Sequence, residues 1–303
     1  QDMTLKPLKS TVCMLLCLLL ALPQLATANT LERLRASNSI TLAFVPDVAP
    51  FSSQQGEQVS GYGIELCRRI AQKIQTELGA SELKLNFLAV EDAQKLAFMG
   101  AGKADLLCTP SPESLKARRQ MSFSVPVYTA GLGVLVREDA PQTLLAVLSG
   151  QPAHSGPTWR ATVNRGLAQH TYVSMKGGVT QAWILEKVRR LGVVVQLLTV
   201  EDYDQGVELI SSGQADAFFS ERMFLEHYLK THSGTEQLQV LPRIFESVPV
   251  ALGVPRDDED FRLLVDTALS ELYRSGELER LYSEHLGKPG EAEQALFKVY
   301  ALP

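Results

Sequence analysis

Apolar and polar positions alternate along this chain in blocks that change period several times. The first block is an apolar run from Val12 to Leu22, with Lys6 and Lys9 ahead of it and Ala26-Thr27-Ala28 behind. A basic flank, a short apolar core and a small-x-small end predict a secretory signal peptide over residues 1–28. A membrane anchor is the alternative, although the run falls short of the roughly 20 residues that cross a bilayer comfortably. Leu15 and Leu16 fit a lipoprotein cleavage site before Cys17 poorly. After this block, residues 39–45 read as a buried strand ending at Pro46-Asp47, and Pro50 to Gly61 is turn-rich. Ile64, Leu66, Cys67, Ile70, Ala71 and Ile74 then recur at helical spacing. Residues 84–90 alternate as a strand, 93–99 are helical up to Gly100-Ala101-Gly102, and 104–108 form a short strand. Strand, helix, strand, helix, strand is the pattern of an α/β lobe with a largely parallel sheet.

The pattern then repeats. Residues 127–136 are apolar, contain glycine and are long for a strand inside one lobe. Residues 137–170, rich in Pro, Gly and Ser, read as irregular. A second run follows: strand 172–175, helix 180–191, strand 193–198, helix 202–212 and strand 215–219. Gly102-Lys103-Ala104-Asp105-Leu106-Leu107 is echoed by Gly213-Gln214-Ala215-Asp216-Ala217-Phe218. Residues 248–254 repeat the look of 125–134, and 257–285 read as helical. The predicted fold class is therefore α/β, with two Rossmann-like lobes joined by two hinge strands. Lobe 1 would be discontinuous, 29–128 and 248–303, with lobe 2 over 129–247. A cleft between such lobes is where ligands usually lie.

Charge narrows the partners. The net charge is −5, and loss of Lys6, Lys9 and Asp2 with the signal moves it by one, to −6. Mild acidity disfavours nucleic acid or an anionic membrane surface as partner. Of four cysteines, Cys67 and Cys108 remain after cleavage. An even pair in an exported chain suggests a disulfide, with two separate buried thiols as the alternative. His154, His170, His227, His232 and His285 are scattered without metal-ligand spacing. With no Ser/His/Asp or Cys/His arrangement and no phosphate loop, neither a cofactor nor an enzyme of its own is expected.

Several short motifs occur in a telling order: Ala49-Pro50-Phe51-Ser52-Ser53, Gly61-Tyr62-Gly63-Ile64-Glu65-Leu66-Cys67, Gly102-Lys103-Ala104-Asp105, and Phe123-Ser124 with Pro126 and Tyr128. Gly178-Val179-Thr180-Gln181, Gly213-Gln214-Ala215-Asp216, Pro255-Arg256 with Phe261-Arg262, and Leu272-Tyr273 with Gly276 and Leu278 continue the series. Together they resemble the family 3 extracellular solute-binding proteins, receptors for polar amino acids in ABC importers. The resemblance implies a periplasmic binding protein of type II, a ligand captured by hinge closure, and an inner-membrane ABC permease as partner. It also implies periplasmic localisation, and the protein is expected to be a monomer. The Cys67/Cys108 pair looks like the disulfide of the glutamate/aspartate-type branch. In that family an arginine takes the ligand carboxylate and an acid from the other lobe takes the ammonium, so binding and closure are one event.

The chain departs from this pattern at the clamp itself. The family's arginine, six residues before the Phe-Ser pair, falls on Ala117; either Arg118 substitutes for it, or Arg118 and Arg119 are solvated surface charges. Val48 stands where an aromatic often covers the ligand, and Phe51 reads as core or ligand wall. In the loop after Cys108, Pro110 and Pro112 remove two N–H donors and leave Thr109 and Ser111 as candidates. Thr180 opens a helix after Gly177-Gly178, so it is either an anion-binding residue or a plain cap. The family's ammonium-binding aspartate falls on Glu221, to be weighed against a pair with Arg222 or a lysine. Trp159-Arg160 reads as a lid or a packed anchor. The expected function is capture of an amino acid or small organic anion for import. The alternatives are a sensor or accessory subunit that no longer serves import, motivated by Ala117 and Val48, and a cyclohexadienyl dehydratase-like enzyme using a Glu221 of raised pKa.

Overall fold

The structure, a computed structural model, describes residues 29–150, 160–177 and 179–303. The expected signal peptide with Cys13 and Cys17, and also His154, Trp159 and Gly178, lie outside the described residues.

The described chain opens with α1 (Thr30–Ser37), whose first turn is capped by the Asn29 side chain. β1 (Ser39–Phe44) follows. The turn-rich stretch from Pro50 to Gly61 carries β3 (Ser52–Gln55) and β4 (Gln58–Ser60), which form a small antiparallel sheet with β2 (Asp47–Val48) just before it. The apolar stripe at helical spacing is α2 (Tyr62–Leu78), which ends at Gly79 in the left-handed region, φ 63°. β5 (Lys84–Ala89), α3 (Lys95–Gly100), β6 (Leu106–Pro112), a 3₁₀ turn at Ala117–Arg119 and β7 (Ser122–Phe123) complete the first half. β8 (Tyr128–Arg137) leads out of it.

The stretch expected to be irregular contains α4 (Gln142–Ser149) and α5 (Arg160–Leu167). β9 (Thr171–Met175), α6 (Val179–Leu191), β10 (Gln196–Val200), α7 (Tyr203–Ser211), β11 (Ala217–Glu221), α8 (Arg222–Thr231) and β12 (Leu238–Val240) make the second α/β run. β13 (Ser247–Val254) returns. The helical stretch expected over 257–285 is α9 (Glu259–Ser275) and α10 (Glu277–Leu286), parted at Gly276, φ 77°, with α11 (Glu291–Val299) beyond.

The strands lie in the order β10-β9-β11-β8-β13-β6-β1-β5, with β12 on β8 and β7 on β13. β1, β5 and β6 are parallel, as are β9, β10 and β11. β8 and β13 run antiparallel to each other from Tyr128↔Val250 to Gly131↔Ser247, and each continues into a different half. This is the two-lobed α/β fold with two connecting strands. In the first lobe, Ile40, Leu42, Ile64 and Ile70 pack with Phe261, Leu269 and Leu278, so α9 and α10 return to the core that the first hundred residues began. In the second lobe, neighbouring residues point to opposite sheet faces: Val134 and Phe219 join one core layer, Leu135 and Phe218 the other.

The sequence echo has a structural reason. Asp105 Oδ2 accepts from the Thr41 N–H at 2.7 Å, and Asp216 Oδ2 accepts from the Thr171 N–H at 2.8 Å. In each lobe this aspartate satisfies an orphan donor on the adjacent parallel strand. Cys67 on α2 and Cys108 on β6 are joined by a disulfide, Cα–Cα 5.9 Å.

Candidate functional site

Where β8 and β13 cross, a cavity of about 680 Å³ opens between them, the end of β11, α6 and Pro112 of β6. α6 brings Thr180, Trp183 and Glu186 to it, three residues apart and hence on one face of the helix. β11 delivers Glu221, and the turn before β13 delivers Glu246.

Glu221 ends β11 and caps α8. Its Oε2 accepts from the Phe224 N–H at 3.1 Å. Its Oε1 accepts from the Tyr128 hydroxyl at 2.9 Å and from the Gly131 N–H at 3.3 Å, both on β8. Burial pushes the carboxyl up from its ordinary value, while hydrogen bonds from Tyr128, Gly131, Phe224 and Met223 oppose the rise. Burial holds the Tyr128 hydroxyl far above its usual range, so it stays protonated and donates. Arg222 does not pair with Glu221; it binds Glu226 and the Leu241 carbonyl.

Glu246 fixes the tryptophan. The Trp183 Nε1–H donates to Glu246 Oε1 at 2.9 Å, and this bond, with the Lys187 ammonium 3.5 Å away, lowers the Glu246 carboxyl. The indole packs on Phe219 and Phe245 at centroid distances of 6.0 and 5.7 Å.

Of the residues singled out from sequence, Thr180 and Glu221 meet at this cavity. The others are placed elsewhere. Val48 is half-buried on β2, against the cores of the first lobe. Phe51 is buried and contacts Tyr128 at 5.1 Å and Phe224 of α8 at 5.9 Å, an aromatic seam between the lobes. Thr109 is buried, its Oγ1 within 2.7 Å of both the Val45 N–H and the Ser52 hydroxyl. The Ser111 hydroxyl donates to the Thr109 carbonyl at 3.1 Å. Ala117 is buried, whereas Arg118 pairs with Glu113 and is 58% exposed.

Tyr128, Trp183, Glu186 and Glu246 were not among the candidates. Trp183 and Glu186 could have been reached from Thr180 by counting along α6. Glu246 lies outside the regular elements, where no periodic signal marks it. Among the described residues no cluster of His, Cys, Asp and Glu is arranged to hold a metal ion. Among them too, no helix is long and apolar enough to cross a membrane.

Known proteins bear on this geometry. The chain is 22% identical over 266 residues to the L-glutamate/L-aspartate-binding protein of Pseudomonas aeruginosa, covering 86% of this chain and 81% of that one. It is 23% identical over 271 residues to the arginine-binding extracellular protein ArtP of Bacillus subtilis, covering 88% and 92%. In fold it is similar to the crystal structure of a polar amino acid ABC uptake transporter substrate-binding protein from Streptococcus thermophilus. There the TM-score is 0.63 at 16% identity, over 89% of this chain and 93% of that one. Residues 40–288 match the model of the bacterial extracellular solute-binding proteins, family 3, and the chain belongs to that family.

Proposed function

We propose that this protein captures an amino acid in the cavity at the lobe junction, as the binding component of an ABC importer with no catalytic step of its own. The observation that carries the proposal is Glu221: a largely buried carboxylate lining the cavity, held by neutral donors and, among the described residues, paired with no arginine or lysine. Such a group gains most from an incoming ammonium. Thr180 and the N–H groups opening α6 suit the ligand carboxylate. The names of the P. aeruginosa and B. subtilis relatives support an amino-acid ligand.

In this reading lobe 1 comprises 29–128 and 248–303, and lobe 2 comprises 129–247. The Phe51–Phe224 contact crosses between the halves, so it forms only on closure. The protein works as a periplasmic monomer after removal of residues 1–28 and delivers its ligand to an inner-membrane permease. Neither a nucleic acid nor a cofactor takes part. The test is calorimetric titration of the mature protein with amino acids. Saturable binding without turnover is expected, and Glu221→Ala is expected to abolish it.

A second reading, as a sensor or accessory subunit, is favoured by one observation: buried Ala117 and the Arg118–Glu113 pair leave the family's arginine unreplaced. Pull-down from membranes separates the two, since a permease is recovered under the first reading and another membrane partner under the second.

A further inference from the structure

We propose that the amino acid held in this cavity carries a second positive charge on its side chain, as arginine and lysine do, and that acidic amino acids are excluded. The inference rests on the reading of the cavity as an amino-acid site, and it adds which class the site selects.

Among the described residues, the charged side chains lining the cavity are Glu186, Glu221 and Glu246, with no lysine or arginine. Nearby cations are committed to the flanks. Lys187 lies 3.5 Å from Glu246 and over the Trp183 ring at 5.5 Å, and lines the adjoining cavity. Arg190 is 3.7 Å from Glu186, and Arg118 is held by Glu113. The first lobe offers little to an anion. Pro112 has no N–H, and the hydroxyls of Thr109 and Ser111 are spent within their own strand region.

Thr180 and the start of α6 therefore suit one carboxylate, and Glu221 suits the α-ammonium. A second ligand carboxylate would find no cationic partner on the lining and would face the remaining acids. A second cation would find two of them, Glu186 beside Arg190 and Glu246 beside Lys187, so each is already partly neutralised. Glu186 and Glu246 stand at the rim, 54% and 56% exposed. Glu186 is six residues beyond Thr180 on α6, about 9 Å along the helix at 1.5 Å per residue. That span suits an extended basic side chain anchored by its carboxylate at Thr180. Trp183, midway between them and fixed by Glu246, supplies an apolar wall for the aliphatic stem.

The experiment is calorimetric titration of the mature protein, stripped of carried-over ligand by unfolding and refolding, with L-arginine, L-lysine, L-glutamine and L-glutamate. Because the rim acids are solvent-screened, arginine or lysine should bind about tenfold more tightly than glutamine, and glutamate more weakly than glutamine. The double variant Glu186→Gln, Glu246→Gln, checked for unchanged melting, should narrow the basic-to-glutamine ratio to about threefold or less. Glutamate or glutamine binding as tightly as the basic amino acids would overturn the charge selection while the amino-acid reading stands. Failure of these four and of all other amino acids to bind would overturn both.

Discussion

Glu221 serves two elements with one carboxylate: Oε2 caps α8 and Oε1 ties down β8 through Tyr128 and Gly131. Tyr128→Phe removes one donor to a buried acceptor and should cost about 1–2 kcal/mol in urea unfolding. The raised carboxyl also has a pH signature. The folded protein keeps the Glu221 proton to higher pH than the unfolded chain does. Its contribution to stability is therefore greatest in acid. It declines as pH climbs from the ordinary carboxylate range through the raised folded value. Melting curves collected from about pH 4 to about pH 7 should show that slope reduced in Glu221→Gln. Thr180 is legible in the sequence because it opens a helix after Gly177-Gly178, and Glu221 because it falls on a position that the family resemblance marks. Thr109 and Ser111 were not legible as internal groups. Whether a strand hydroxyl faces a cavity or a neighbouring backbone depends on the pairing of β6 with β1 and β13. Arg118 likewise depended on Glu113, five residues earlier, which no helix or strand period brings to it.

Elements were easier to read than their roles. The α2 stripe and the two Gly-x-Ala-Asp segments follow directly from periodicity and turn chemistry, and the Asp105 and Asp216 bonds explain why they repeat. Periodicity does not foresee how closely two elements approach. A Cβ on Gly63 would lie 1.9 Å from the Cys108 carbonyl oxygen, so α2 sits directly on β6 with backbone against backbone. Gly63→Ala must push the helix off the strand and should destabilise by about 3 kcal/mol or more, measured by thermal or urea unfolding. α4 and α5 escaped notice because Pro, Gly and Ser dominate the stretch between them. β2, β3 and β4 escaped because strands of two to four residues carry too few alternations to register.

Among the described residues, one disulfide and one shared sheet hold the molecule together. Cys67–Cys108 closes a loop of sequence separation 41. The double variant Cys67→Ser, Cys108→Ser should lose roughly 3–4 kcal/mol of stability, read from unfolding under non-reducing conditions. Ligand at about a hundred times its Kd should restore roughly 2.7 kcal/mol of that. The position of β13 in the sheet has a consequence for how the chain comes into being. β13 lies between β8 and β6, yet it is the last strand made, and Phe261, Leu269 and Leu278 reach the first core only after it. A chain emerging amino end first, from a ribosome or a membrane channel, has every strand from β8 to β12 in hand while β6 still lacks its neighbour. The half that starts the sequence is therefore the half that finishes folding last.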